Sequence, residues 1–108
     1  MVATNRLGRQ TVKLNNMPKI IAKASVVGKK ESQGPLGHYF DKIMPDNLWG
    51  EKSWEKTENR MMFEAAQMAL NNAKKECTEI DYFFAGDLLN QIITANFTAR
   101  ALGIPFFG

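Results

Sequence analysis

The sequence predicts an α/β fold, the first β-α-β-α-β part of an incomplete layered sandwich. Three observations predict it. Ile80-Asp81-Tyr82-Phe83-Phe84-Ala85 is a short apolar run rich in aromatics, as in a strand covered on both faces. A helical stretch and a second apolar strand, Ile104-Pro105-Phe106-Phe107, follow it, so the end of the chain reads as a βαβ unit with a parallel pair. Upstream, one helix carries a narrow stripe of small residues suited to lying close on a sheet.

Residues 1–18 form a polar, basic arm, in which Gln10 to Leu14 offers a short edge strand. Residues 19–108 make up the rest of the domain portion. Lys19 to Val27 alternates: Ile20, Ala22, Ala24 and Val26 share one face, and Ile21, Lys23, Ser25 and Val27 the other, which is strand periodicity. Gly28 to Gly50 is a long loop, broken at Gly34-Pro35-Leu36-Gly37 and Pro45. Its Leu36, Tyr39, Phe40, Ile43, Met44, Leu48 and Trp49 are too apolar for a free linker, so the loop is expected to fold down onto the domain.

Ser53 or Thr57 caps a helix expected to run to about Lys75. Met62, Ala65, Ala66, Ala69 and Ala73 fall on one face, and Glu58 and Glu64 near its start with Lys74 and Lys75 near its end suit the helix dipole. Thr94 to Leu102 is the second helix, with Ile92, Ala95, Ala99 and Leu102 on its inner face and Gly103 as its stop. Strands alternating with helices predict right-handed crossovers and a parallel sheet.

At 108 residues and 44% hydrophobic, the chain can build one core. Its balance of 14 basic against 11 acidic residues gives a net charge of +3. Arg6, Arg9, Lys13, Lys19, Lys23, Lys29 and Lys30 all precede the first acidic residue, Glu31, so the front end suits either a solvated, lysine-guarded arm or an anionic partner. The single cysteine, Cys77, excludes an internal disulfide. No segment approaches the ~20 apolar residues of a membrane span, and the first residues lack a secretory signal's apolar core, which leads us to expect a soluble, unexported chain.

Two blocks carry a resemblance. Asp81 to Gln91, followed by Thr94-Ala95-Asn96-Phe97-Thr98-Ala99-Arg100 and Leu102-Gly103-Ile104-Pro105, resembles the thiolase and β-ketoacyl synthase superfamily. Gly34-Pro35-Leu36-Gly37-His38-Tyr39-Phe40-Asp41-Lys42, Lys52-Ser53-Trp54-Glu55 and Ala85-Gly86-Asp87-Leu88-Leu89-Asn90-Gln91 resemble one branch of it, the stage V sporulation protein AD family, over about residues 9–108. The resemblance implies a thiolase-like fold in a longer protein that binds dipicolinic acid. It further implies that this protein works with membrane proteins of the same sporulation uptake system to load the spore, and that it dimerises through the thiolase-like sheet. The location implied is cytoplasmic or peripheral at the spore inner membrane. The superfamily's nucleophilic cysteine and its partners lie beyond the third strand, so this chain is expected to be a fragment with no catalytic residue and no cofactor.

Asp87, Asn90, Gln91 and Asn96 lie at the carboxyl end of a strand and in the turn after it, where open α/β sheets place ligands. They are the candidate ligand-binding residues; the other reading is that Asp87 and Asn90 cap the turn and helix. Arg60, Arg100, Lys29 and Lys30 are weighed as partners for a dicarboxylate. Cys77 has no histidine nearby to activate it, and His38 has no Cys or His at ligand spacing, so neither a nucleophile nor a metal site is expected. Trp49 and Trp54 fit loop or core anchors better than a base-stacking platform, and no nucleic-acid partner is expected. Two rival functions stay open. One is a scaffold portion of an acyl-transferring condensing enzyme, and the other a small basic module that binds anions.

Overall fold

A computed structural model of the chain describes residues 5–89 and 92–107. Strands β1 (Arg6–Leu7) and β2 (Thr11–Val12) form an antiparallel hairpin, with Arg6 opposite Val12 and Leu7 opposite Thr11. Gly8 turns the chain at φ +71°, a conformation that a residue without a Cβ adopts at no steric cost. The edge strand expected at Gln10–Leu14 therefore exists, but it pairs with its own hairpin partner and not with the sheet.

Strand β3 (Val26–Val27) runs parallel to β4 (Lys42–Ile43), a strand in the long loop that the alternation pattern does not reveal. The pair is locked at its start, where Asp41 Oδ2 accepts from Ser25 N at 2.8 Å and Asp41 N donates to Ser25 Oγ at 3.0 Å. The strand expected over Lys19–Val27 is therefore shorter than its periodicity suggests. Ile20 and Ile21, on opposite faces of the alternation, are 91% and 70% exposed, so neither face gains burial there. Without a ladder partner or a cover, alternation alone does not make a strand.

Between β3 and β4 lie the short helix α1 (Lys29–Ser32) and a 3₁₀ turn, Gly37–Tyr39. Gly37 is buried against the backbone of Ser32: a Cβ at this position would stand 1.9 Å from the Ser32 carbonyl oxygen. This close approach is the physical reason for the second glycine of the Gly-Pro-Leu-Gly block. The loop folds down as expected at Met44 and Trp49, both buried, whereas Leu36 and Tyr39 stay exposed.

Helix α2 (Trp54–Ala73) begins at Ser53, whose hydroxyl accepts from Lys56 N at 3.2 Å, and ends at Lys74 in the left-handed conformation. Thr57, the other candidate cap, is buried one turn in, with its hydroxyl within 2.9 Å of both the Leu48 and the Ser53 carbonyl oxygens. The stripe from Met62 to Ala73 is half-buried throughout.

Strand β5 (Phe83–Phe84) runs parallel to β6 (Phe106–Phe107) and is joined to it by helix α3 (Ile93–Leu102), so the expected βαβ unit is present. Gly103 ends α3 at φ +72°. Thr94, Ala95, Thr98, Ala99 and Leu102 are buried, and α3 packs chiefly on α2. Ile92 does not share that face, being half exposed at the helix N-cap with φ +73°.

The single parallel sheet expected from the element order is thus a mixed α/β arrangement of three separate two-stranded pieces among the described residues. The radius of gyration is 16.6 Å, larger than the roughly 13 Å of a compact domain of about this size. The core is correspondingly small: Met44, Trp49, Ala95, Ala99, Leu102 and Ile104.

Candidate functional site

Strand β3, parallel to β4, and strand β5, parallel to β6, both end beside the first half of α2. Gly28 follows one strand and the Gly86–Leu89 turn follows the other. Between them and α2 lies a cleft of about 480 Å³ whose walls include Val26, Met61, Met62, Gly86, Asp87 and Glu58. Glu58 and Met61 also border a neighbouring cavity of about 250 Å³ that reaches Met44 and Leu89.

Glu58 is the hinge of this arrangement. Its Oε2 accepts from the backbone N–H of Leu88 at 3.1 Å and, more weakly, of Leu89 at 3.4 Å, which ties the turn after β5 to α2. The other oxygen, Oε1, is buried without a hydrogen-bond partner among the described residues. In the sequence, Glu58 suits the helix dipole and nothing more. Its long-range role leaves no mark in the sequence, because a bond to a backbone N–H does not constrain the identity of the residue that donates it.

Asp87 organises the turn from the other side. Its Oδ1 accepts from Ile92 N at 2.8 Å and its Oδ2 from Ala95 N at 2.8 Å, so the carboxylate satisfies two free N–H groups at the start of α3. Ile92 is thereby held in a left-handed conformation that is costly for a β-branched residue. Asn96 is exposed on α3. Asn90 and Gln91 lie outside the described residues.

Thr94 and Thr98 line the inner face of α3, positions that apolar spacing does not mark. Thr98 Oγ1 lies 3.3 Å from Asn59 Oδ1, whereas Thr94 Oγ1 is buried without a partner among the described residues. The walls of both cavities carry carboxylates and methionines and, among the described residues, no Lys or Arg. Such a cleft suits an apolar group or a hydrogen-bond donor, and an anion placed there would require cations from elsewhere.

The cations weighed for a dicarboxylate lie apart from the cleft walls. Arg60 stacks on Trp49 at 4.3 Å, donates from Nη1 to the Trp49 carbonyl at 2.6 Å and faces Glu51 at 3.8 Å. It braces Trp49, itself in a left-handed conformation at φ +49°, in company with Lys42, 5.1 Å from the ring centre. Lys29, Lys30 and Arg100 are exposed.

Cys77 is half-buried in a 3₁₀ turn, Cys77–Glu79, closed by a reciprocal box between Glu76 and Glu79. His38 lies against the Tyr39 ring at 4.1 Å on the surface. Among the described residues no group of three or more His, Cys, Asp or Glu is placed to hold a metal ion. No helix among them is long and apolar enough to cross a membrane.

The model of the family described as Stage V sporulation protein AD (SpoVAD) matches residues 8–108. The chain is 43% identical over 101 residues to the stage V sporulation protein AD of Bacillus subtilis (strain 168), an alignment that covers 92% of this chain and 29% of that protein. The chain thus spans under a third of the relative's length, and the match takes in the Gly-Pro-Leu-Gly turn, α2, the Gly86–Leu89 turn and α3. On that match, the chain belongs to the stage V sporulation protein AD family.

Proposed function

We propose that the protein to which this chain belongs binds dipicolinic acid and supports its uptake into the developing spore, without catalysing a reaction. The family match over residues 8–108 carries this reading. In it, the chain supplies the first β-α-β-α-β part of a thiolase-like fold, with residues 1–18 as an arm and 19–108 as the start of the layered domain. The β5–α3–β6 unit is compatible with that architecture. Membrane proteins of the same uptake system and a second copy joined through the sheet are its partners. Its place is the cytoplasm or the periphery of the spore inner membrane.

Within the chain, Asp87 has the organising role: it orders the turn after β5 and the start of α3. Amide side chains at Asn90, Gln91 and Asn96 then provide neutral donors for a carboxylate of the ligand, and the balancing positive charge comes from outside the acidic cleft.

Calorimetric titration of dipicolinate into this chain and into the full-length Bacillus subtilis (strain 168) relative tests the reading. Saturable heat is expected from the full-length protein, with weaker binding or none by the chain alone. A full-length protein that gives no heat would sink the assignment of dipicolinate as ligand.

A further inference from the structure

The turn after β5 is fixed by two carboxylates that reach it from different elements. Asp87 belongs to the turn and points forward, its Oδ1 and Oδ2 each 2.8 Å from a backbone nitrogen at the start of α3, those of Ile92 and Ala95. Glu58 comes from α2, and its Oε2 accepts from the N–H groups of Leu88 and Leu89. Both ties carry a cost that stability alone does not reward. Glu58 Oε1 is buried with no hydrogen-bond partner among the described residues, a desolvation cost that a neutral amide of the same length would largely avoid. Asp87 holds Ile92 at φ +73°, a region disfavoured for a β-branched side chain. Unfavourable local choices of this kind collect where a site has to be held in one shape. All of these bonds lie within the chain, and they stand whatever polypeptide covers its faces in a longer protein.

We propose that Glu58 is a positioning residue for the ligand: it presets the turn from Gly86 to Leu89, and through Asp87 the first turn of α3, in the conformation that receives a carboxylate. A turn ordered beforehand spares the ligand the cost of ordering it. The role rests on the dipicolinate reading above. Glu58 acts through the turn and not by contact, because its negative charge would repel a dicarboxylate placed beside it.

Calorimetric titration of dipicolinate into the full-length protein to which this chain belongs tests the role, with Glu58→Ala, Glu58→Gln and Ile104→Ala as variants. Glu58→Ala should bind about tenfold more weakly, the loss of one charge-assisted hydrogen bond. Glu58→Gln keeps an oxygen acceptor of the same reach and sheds a negative charge, so it should bind within about twofold of the parent, or tighter. Ile104→Ala removes a buried side chain that makes neither tie, and should lower the urea midpoint without changing affinity. Amide hydrogen exchange at Leu88 and Leu89, read without ligand, should be faster in Glu58→Ala than in the parent. Parent-like affinity in Glu58→Ala, equal weakening by Glu58→Gln or by Ile104→Ala, or unchanged exchange at Leu88 and Leu89 would overturn the role. Absence of heat from the parent would instead overturn dipicolinate as the ligand, and the exchange measurement would still decide whether Glu58 holds the turn.

Discussion

Helix α3 and the β1–β2 hairpin are both local structures that a short stretch of sequence can specify, yet they differ in what holds them. In α3, Thr94, Ala95, Thr98, Ala99 and Leu102 are closed against the rest of the chain, and a carboxylate five residues upstream of Ile92 fastens the start of the helix. In the hairpin both strands are exposed, and backbone pairing and the Arg6 bonds to the turn are among its restraints in the described residues. Hydrogen bonds that replace bonds to water contribute little net stability, whereas burial of apolar surface contributes much. Stability is therefore concentrated in the α2–α3 region.

The largest expected effect tests the buried side of that contrast. Leu102→Ala removes a side chain that is 6% exposed and should cost about 2–5 kcal/mol, read as a lower urea midpoint of the chain. A midpoint unchanged by Leu102→Ala would mean that α3 is not closed on α2. Next, Asp87→Ala deprives two N–H groups of their acceptor and should cost about 1–2 kcal/mol. Asp87→Asn should recover part of that loss, since one amide oxygen can still accept.

Thr94→Val works in the opposite direction. It keeps the shape and deletes a buried hydroxyl that has no partner among the described residues, so a gain of about 1 kcal/mol is expected in the same denaturation experiment. A loss instead would reveal that the Thr94 hydroxyl is satisfied, by water for example. The smallest effect belongs to the hairpin: Leu7→Ala or Val12→Ala should shift stability by less than about 0.5 kcal/mol, because exposed positions surrender little burial. A cost comparable to that of Leu102→Ala would break the comparison and show the hairpin packed against something.

Elements whose logic is local were legible in the sequence. Ser53, the start of α2, Gly103 and the βαβ unit around α3 all rest on residue types that act within a turn or two of themselves. Asp87 was legible as a cap of the turn and helix, and the geometry places its two oxygens on the helix start. Strand extents and the site's far wall were not. The pairing of β3 with Lys42–Ile43, the reach of Glu58 to the turn after β5, and the occupation of Arg60 by Trp49 and Glu51 each join residues distant in sequence.

The sequence by itself determined the start of α2, the stop of α3, the basic front end, and membership of a sporulation family, because caps, charge and long matched blocks are properties of the order of residues. Only the tertiary structure decided which carboxylates face one cleft, which cations are already engaged and which apolar side chains remain open. These depend on the distances between segments, and a strand or a site needs a partner that periodicity in one segment cannot name.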